Sequence, residues 1–114
     1  MATIKKFEDL EVWQMARKFA DSIYHLTLQE KFSKEYKFKY QIKNSSGSVM
    51  DNIAEGFGRE SRLEFINFLS IAKGSLYESQ SQLYRRLIMA SYQKKFWIFI
   101  IWKQELLLLK LQHL

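Results

Sequence analysis

No proline occurs anywhere in the 114 residues of this chain. Proline stops or kinks a helix because it has no amide donor and its ring strikes the preceding turn. Without it the chain can build a few long helices, and its apolar residues have the spacing that helices require. Between Phe7 and Thr27, Leu10, Trp13, Ala16, Ala20, Ile23 and Thr27 recur at intervals of three and four, with Phe19 and Leu26 widening the stripe. Glu8, Asp9 and Glu11 crowd the expected first turn, where negative charge complements the free amides. Residues 28–34, LQEKFSK, read as a connection.

A second helix is expected over about 35–56, with Phe38, Ile42, Ser45, Ser46, Val49, Asn52 and Ile53 on its inner face. The middle of that face is small and polar. Small side chains admit a neighbouring backbone, and buried hydroxyls can bond to a carbonyl one turn earlier. The propensity of NSSGS opposes a helix, so the assignment rests on the pattern on either side. A third helix is expected over 62–85, its last turn reaching about 87, with Phe65, Phe68, Leu69, Ala72, Leu76, Ser79 and Leu83 on one face. Ser61 and Glu64 have the spacing of a capping box at its start.

Three long helices with short connections need a fourth to close their core, and residues 92–112 are left to supply it. The expected fold is therefore all-α, an antiparallel up-and-down four-helix bundle forming one domain over residues 1–114. The last helix is atypical. FWIFIIW at 96–102 has the β-forming, uncharged character of an aggregation-prone strand. Lys103, Glu105 and Lys110 interrupt it before it could span a membrane, and no membrane partner is expected.

Composition narrows the chemistry. The absence of Cys excludes a disulfide scaffold, a thiolate metal site and a cysteine nucleophile, and fits a reducing cytosol. Charges at Glu8, Asp9 and Glu11 stand where a signal peptide needs an apolar run, so a cytoplasmic protein is expected. His25 and His113 are too far apart in sequence to suggest a metal pair, and no cofactor motif is present. Glu55 and Glu64 could pair as acid and base, but Glu64 is committed to a cap and Arg59 and Arg62 lie within reach of both. No enzymatic activity is expected.

The segment DNIAEGFGRES, residues 51–61, resembles a phosphate loop only superficially. Such a loop follows a strand and opens a helix, whereas this one follows a helix and lacks the third glycine and the lysine. It reads as a corner. Gly56 is expected to close the second helix in the left-handed conformation, Gly58 to free the turn, and Phe57 to tuck into the bundle end. Asn52 and Glu55 are expected to bond to backbone or to Arg59.

The formal charge of +6 and a pI near 9.6 point towards polyanions. Residues 1–85 hold 13 Lys/Arg against 11 Asp/Glu, while residues 86–114 hold five against one. The candidate phosphate contacts are Arg17, Lys18, Lys43, Arg59, Arg62, Lys73 and Arg85. No aromatic-interleaved platform stands out, so binding to backbone and shape is the expected mode. The alternative is a structural or protein-interaction module with no nucleic-acid contact.

The stretch FEDLEVWQMARKFADSIYHLT, Gln41-Ile42, SVMDNIAEG at 48–56, Arg59 and EFINFLSIAKGSLYES at 64–79 together resemble one family. It is the four-helix-bundle family of proteins encoded in intervening sequences of bacterial 23S rRNA genes, also labelled S23 ribosomal protein. The resemblance covers residues 7 to about 85. It implies a homo-oligomer, specifically a pentamer, and a relation to the accessory protein of diversity-generating retroelements, which binds nucleic acid and a reverse transcriptase. The implied partners are thus the chain itself, RNA or DNA, and a protein such as a reverse transcriptase-like or ribosome-associated factor. Asn44, Ser45 and Ser46 depart from the basic-then-apolar pattern after Gln41-Ile42, and Met50 stands where a proline is common. Beyond Arg85 the family's acidic fourth helix is not recognisable. Codons can be chosen for Arg86 to Lys95 that read TLDYGFISEE in a shifted frame, close to the family phrase, and the gene sequence tests that origin.

Overall fold

Of the acids at the N-terminus only Glu11 lies in the first turn of the first helix, while Glu8 and Asp9 precede it. Phe7–Asp9 form a single 3-10 turn, and Leu10 is extended before the helix begins. The Gln14 side-chain amide donates to the Glu8 carbonyl at 3.0 Å, and the Phe7 and Trp13 rings meet edge-on at 5.1 Å, so turn and helix are tied together. In this computed structural model, which describes residues 4–89, three α-helices follow: α1 (Glu11–Thr27), α2 (Tyr36–Gly58) and α3 (Arg62–Met89). No strand occurs among the described residues. The fourth helix expected over 92–112 lies outside them. None of the described helices is long and apolar enough to cross a membrane.

Helix α1 buries Val12, Ala16, Phe19, Ile23, Leu26 and Thr27. The stripe is turned slightly from the expected one, with Val12 inside and Trp13 and Ala20 only half-buried. The connection to α2 is more than a linker. It contains a second 3-10 turn, Glu30–Phe32, whose Phe32 is wholly buried and is the largest such side chain in the core.

The short connections on either side of α2 run the three helices antiparallel, with α2 packed against both neighbours. The expected inner face of α2 is buried at Ile42, Ser45, Ser46, Val49 and Ile53. It meets Leu69, Ala72, Leu76, Ser79 and Leu83 of α3. At its centre the small polar residues bond to one another. Ser79 Oγ donates to Ser45 Oγ at 2.9 Å, and Ser45 Oγ lies 2.7 Å from Gln82 Oε1. Hydroxyl-to-carbonyl contacts within each helix, Ser45 to Ile42 at 3.3 Å and Ser79 to Ser75 at 3.0 Å, accompany this link. A buried hydroxyl without a partner costs about 1–3 kcal/mol, so the cross-helix bonds make the polar centre tolerable.

The corner corrects one expectation. Helix α2 does not end at Gly56 but runs through Gly58, and none of the described glycines has positive φ. Gly56 is needed for closeness. It is buried, and a Cβ there would fall 2.5 Å from the Phe68 Cβ and 3.1 Å from Phe65 Cδ1. The left-handed residue is Glu60, at φ 57°, between the helical Arg59 and Ser61. Ser61 caps α3 as expected, its Oγ accepting the Glu64 amide at 3.3 Å. The Glu64 carboxylate turns to Arg59, 4.0 Å away, so only half of the capping box forms. Phe57 meets Phe65 edge-on at 6.1 Å.

Candidate functional site

The antiparallel course brings the α1–α2 connection, the start of α2 and the end of α3 to one end of the molecule. The residues grouped there are strongly basic: Lys31, Lys34, Lys37, Lys39, Lys43, Arg85 and Arg86 stand against Glu30 and Glu35. The opposite end, residues 4–11 and 51–64, holds Lys5, Lys6, Arg59 and Arg62 against seven carboxylates. Charge is therefore segregated along the helix axes, over the roughly 35 Å length of a helix such as α2. The whole-chain total conceals this.

A cleft of about 520 Å³ opens at the basic end, lined by residues that include Lys34, Lys37, Gln41, Gln82, Arg85 and Arg86. Its inner wall is fixed by Arg86, which donates to Glu35 at 2.6 Å. The guanidinium also lies 5.5 Å from the Phe32 ring centre and 5.4 Å from that of Phe38. The two side chains are only 17% and 33% exposed, so Arg86 is built into the wall while Arg85 stays at the rim. The arrangement offers the exposed cations Lys34, Lys37 and Arg85 over a wall built on the Arg86–Glu35 pair, which suits a phosphate-bearing ligand.

Two tyrosines adjoin the cleft. Tyr36 and Tyr40, one turn apart on α2, are 72% and 71% exposed. Lys43 is exposed in the same row, and the Lys39 ammonium sits 5.5 Å from the Tyr36 ring centre. Sequence reasoning missed this pairing. The signal was present in KEYKFKYQIK: Phe38 and Ile42 belong to the core face, which sends Tyr36 and Tyr40 outward among lysines.

Of the seven candidate cations, Arg85 lines the cleft and Lys43 lies on α2 near the same end. Arg17 and Lys18 line a separate cleft of about 570 Å³ with Glu8, Trp13, Gln14 and Asp21, where acids offset them. Arg59 is occupied by Glu55 at 3.1 Å, by Glu64 and by the Phe68 ring, and Arg62 lies beside it at the acidic end. Lys73 is half-buried midway along α3. The candidates thus do not form one surface. Asn52 serves structure, its Nδ2 donating to the Ser48 carbonyl at 2.8 Å. Among the described residues no group of three or more His, Asp or Glu gathers to hold a metal.

Comparison with known proteins adds the context. No curated protein matches the chain significantly. Among solved structures, it is similar to a protein of unknown function from the S23 ribosomal protein family of Bacteroides thetaiotaomicron VPI-5482. The TM-score is 0.78 at 26% identity, over 88% of this chain and 94% of that one. The family model described as 23S rRNA-intervening sequence protein matches residues 8–96, running through the corner and past Arg85. With a match over most of its length and a fold to agree, the chain belongs to the 23S rRNA-intervening sequence protein family.

Proposed function

We propose that the protein acts by binding, without catalysis, and that its ligand is the phosphate backbone of a nucleic acid held at the basic end. The observation that carries this reading is the segregation of charge, which gathers Lys34, Lys37 and Arg85 around one cleft while the far end is acidic. Phosphate contacts of this kind add affinity that falls steeply with salt. A fourth helix over 92–112 and assembly into a homo-pentamer, as the resemblance implies, would complete the bundle and repeat the basic end around a ring.

The test is binding of labelled RNA and DNA against salt, with charge reversal at either end. Lys34→Glu, Lys37→Glu and Arg85→Glu together abolish binding, whereas Arg59→Glu with Arg62→Glu leaves it nearly intact. Equal effects at the two ends, or no binding by the wild type at low salt, refute the reading.

A second reading has its own support. Leu63, Ile66, Tyr77 and Tyr84 are exposed along one side of α3, Leu63 by 70%. Such a stripe suits a protein contact, first of all with another copy of the chain. Light scattering on Leu63→Asp and Ile66→Asp tests it: oligomer loss supports the contact, and an unchanged mass counts against it.

A further inference from the structure

We propose that the nucleic acid taken at the basic end is single-stranded, with unpaired bases stacked on Tyr36 and Tyr40. The inference rests on the reading of the basic end as a phosphate-binding surface and adds the class of strand.

Tyr36 and Tyr40 expose their rings on the outward side of α2, with Lys37 beside them and Lys43 continuing the row. Neither is drawn into the core, because Ile42, Ser45, Ser46 and Val49 occupy the opposite face. Lys39 bonds to the Ser33 carbonyl at 3.5 Å and covers one side of the Tyr36 ring. That contact steadies the ring and leaves its other side open. Tyr40 makes no ring contact among the described residues. One helical turn separates the two rings by about 6 Å along the axis, more than the roughly 3.4 Å between bases stacked on each other. Each ring is thus placed to take its own base from an extended strand. Lys34, Lys37 and Arg85 at the cleft are then within the strand's course to meet phosphates.

A duplex satisfies only half of this surface. Its bases are already stacked, so it can engage the cations and leave the tyrosines unused. An acidic polypeptide shares the charge but has no row of flat rings to offer. Stacking is tolerant of sequence, because every base has a π-face.

The experiment uses the full chain, a labelled oligothymidylate, a duplex of the same length, and polyglutamate as competitor, across a salt series. The single strand is expected to bind more tightly than the duplex. Tyr36→Ser and Tyr40→Ser each lower its affinity about five- to tenfold, while Tyr→Phe at both positions retains it. Duplex affinity and the salt slope stay unchanged in these variants, whereas Lys37→Ala weakens both nucleic acids and reduces the slope by about one. Tyr36→Leu and Tyr40→Leu, which keep apolar cover on the helix, guard against loss of folding, and circular dichroism verifies it. A folded double tyrosine variant that binds oligothymidylate like the wild type overturns the stacking and leaves the basic end standing. Failure of the wild type to bind either nucleic acid at low salt overturns both. Polyglutamate that competes as well as oligothymidylate overturns the strand in favour of an acidic protein.

Discussion

Gly56→Ala is the sharpest test of how α2 and α3 meet. In an open helix interior this exchange stabilises, because alanine loses less backbone freedom than glycine, by about 0.5–1 kcal/mol. At Gly56 the new methyl would lie 2.5 Å from the Phe68 Cβ. Carbon atoms pack comfortably at about 3.5–4.0 Å, so the helices must separate locally by about 1 Å. No rotamer of Phe68 relieves the overlap, since its Cβ is anchored to the α3 backbone. Overpacking of this kind costs about 1–3 kcal/mol, which outweighs the gain in propensity. The expected net effect is a loss of about 1–2 kcal/mol, or about 5–10 °C in Tm for a domain of this size. Gly47→Ala and Gly74→Ala are the internal controls. A Cβ at either position meets nothing within 4 Å, so both should stabilise, by up to about 1 kcal/mol each. Thermal and urea unfolding followed by circular dichroism, at one fixed protein concentration, compares the three. If Gly56→Ala is as stable as Gly47→Ala, the close approach of the two helices is wrong.

Arg86→Met keeps the bulk over Phe32 and Phe38 but strands Glu35, and should cost about 1–2 kcal/mol in urea unfolding, with Arg86→Lys restoring only part because one ammonium cannot cover both rings. Stability equal to the wild type would mean that the pair adds nothing. Glu60→Gly should raise stability by about 0.5–1 kcal/mol by relieving the left-handed φ of 57°, and a loss instead would show that this residue is not strained. Ser61→Ala should lower it by about 1 kcal/mol through the lost cap, an effect that removal of the Glu64 carboxylate would not reproduce.

The helices were legible because their stripes are long and periodic. Ile42, Val49, Leu69, Leu76 and Leu83 repeat at intervals that only a helix brings onto one face, and all are buried. Phe32 was not legible, because a single aromatic in a connection carries no period that tells an anchored turn from a solvated one. Gly56 was misread for a different reason. A glycine beside a turn signals either a left-handed dihedral or a close neighbour, and the neighbour belongs to a helix that begins after it. The same limit hid the basic end. Lys34 and Lys37 are 48 or more positions from Arg85, and only the antiparallel return of α3 puts them around one cleft. Summed along the sequence, their charges are diluted by the acids of the opposite end.

The bonded trio of Ser45, Ser79 and Gln82 has a bearing on how such a chain can change over time. Ser45 on α2 joins Ser79 and Gln82 on α3, so its replacement alone leaves the buried Gln82 carbonyl oxygen without its partner and Ser79 with only the Ser75 carbonyl. The route to a fully apolar contact therefore passes through less stable intermediates, and the route to a different polar contact requires two steps in step with each other. Neighbouring Ile42 and Val49 face no such constraint, since aliphatic residues of similar volume substitute for one another at modest cost. The three polar positions are expected to be inherited as a unit, retained together or replaced together, while the apolar residues around them drift singly.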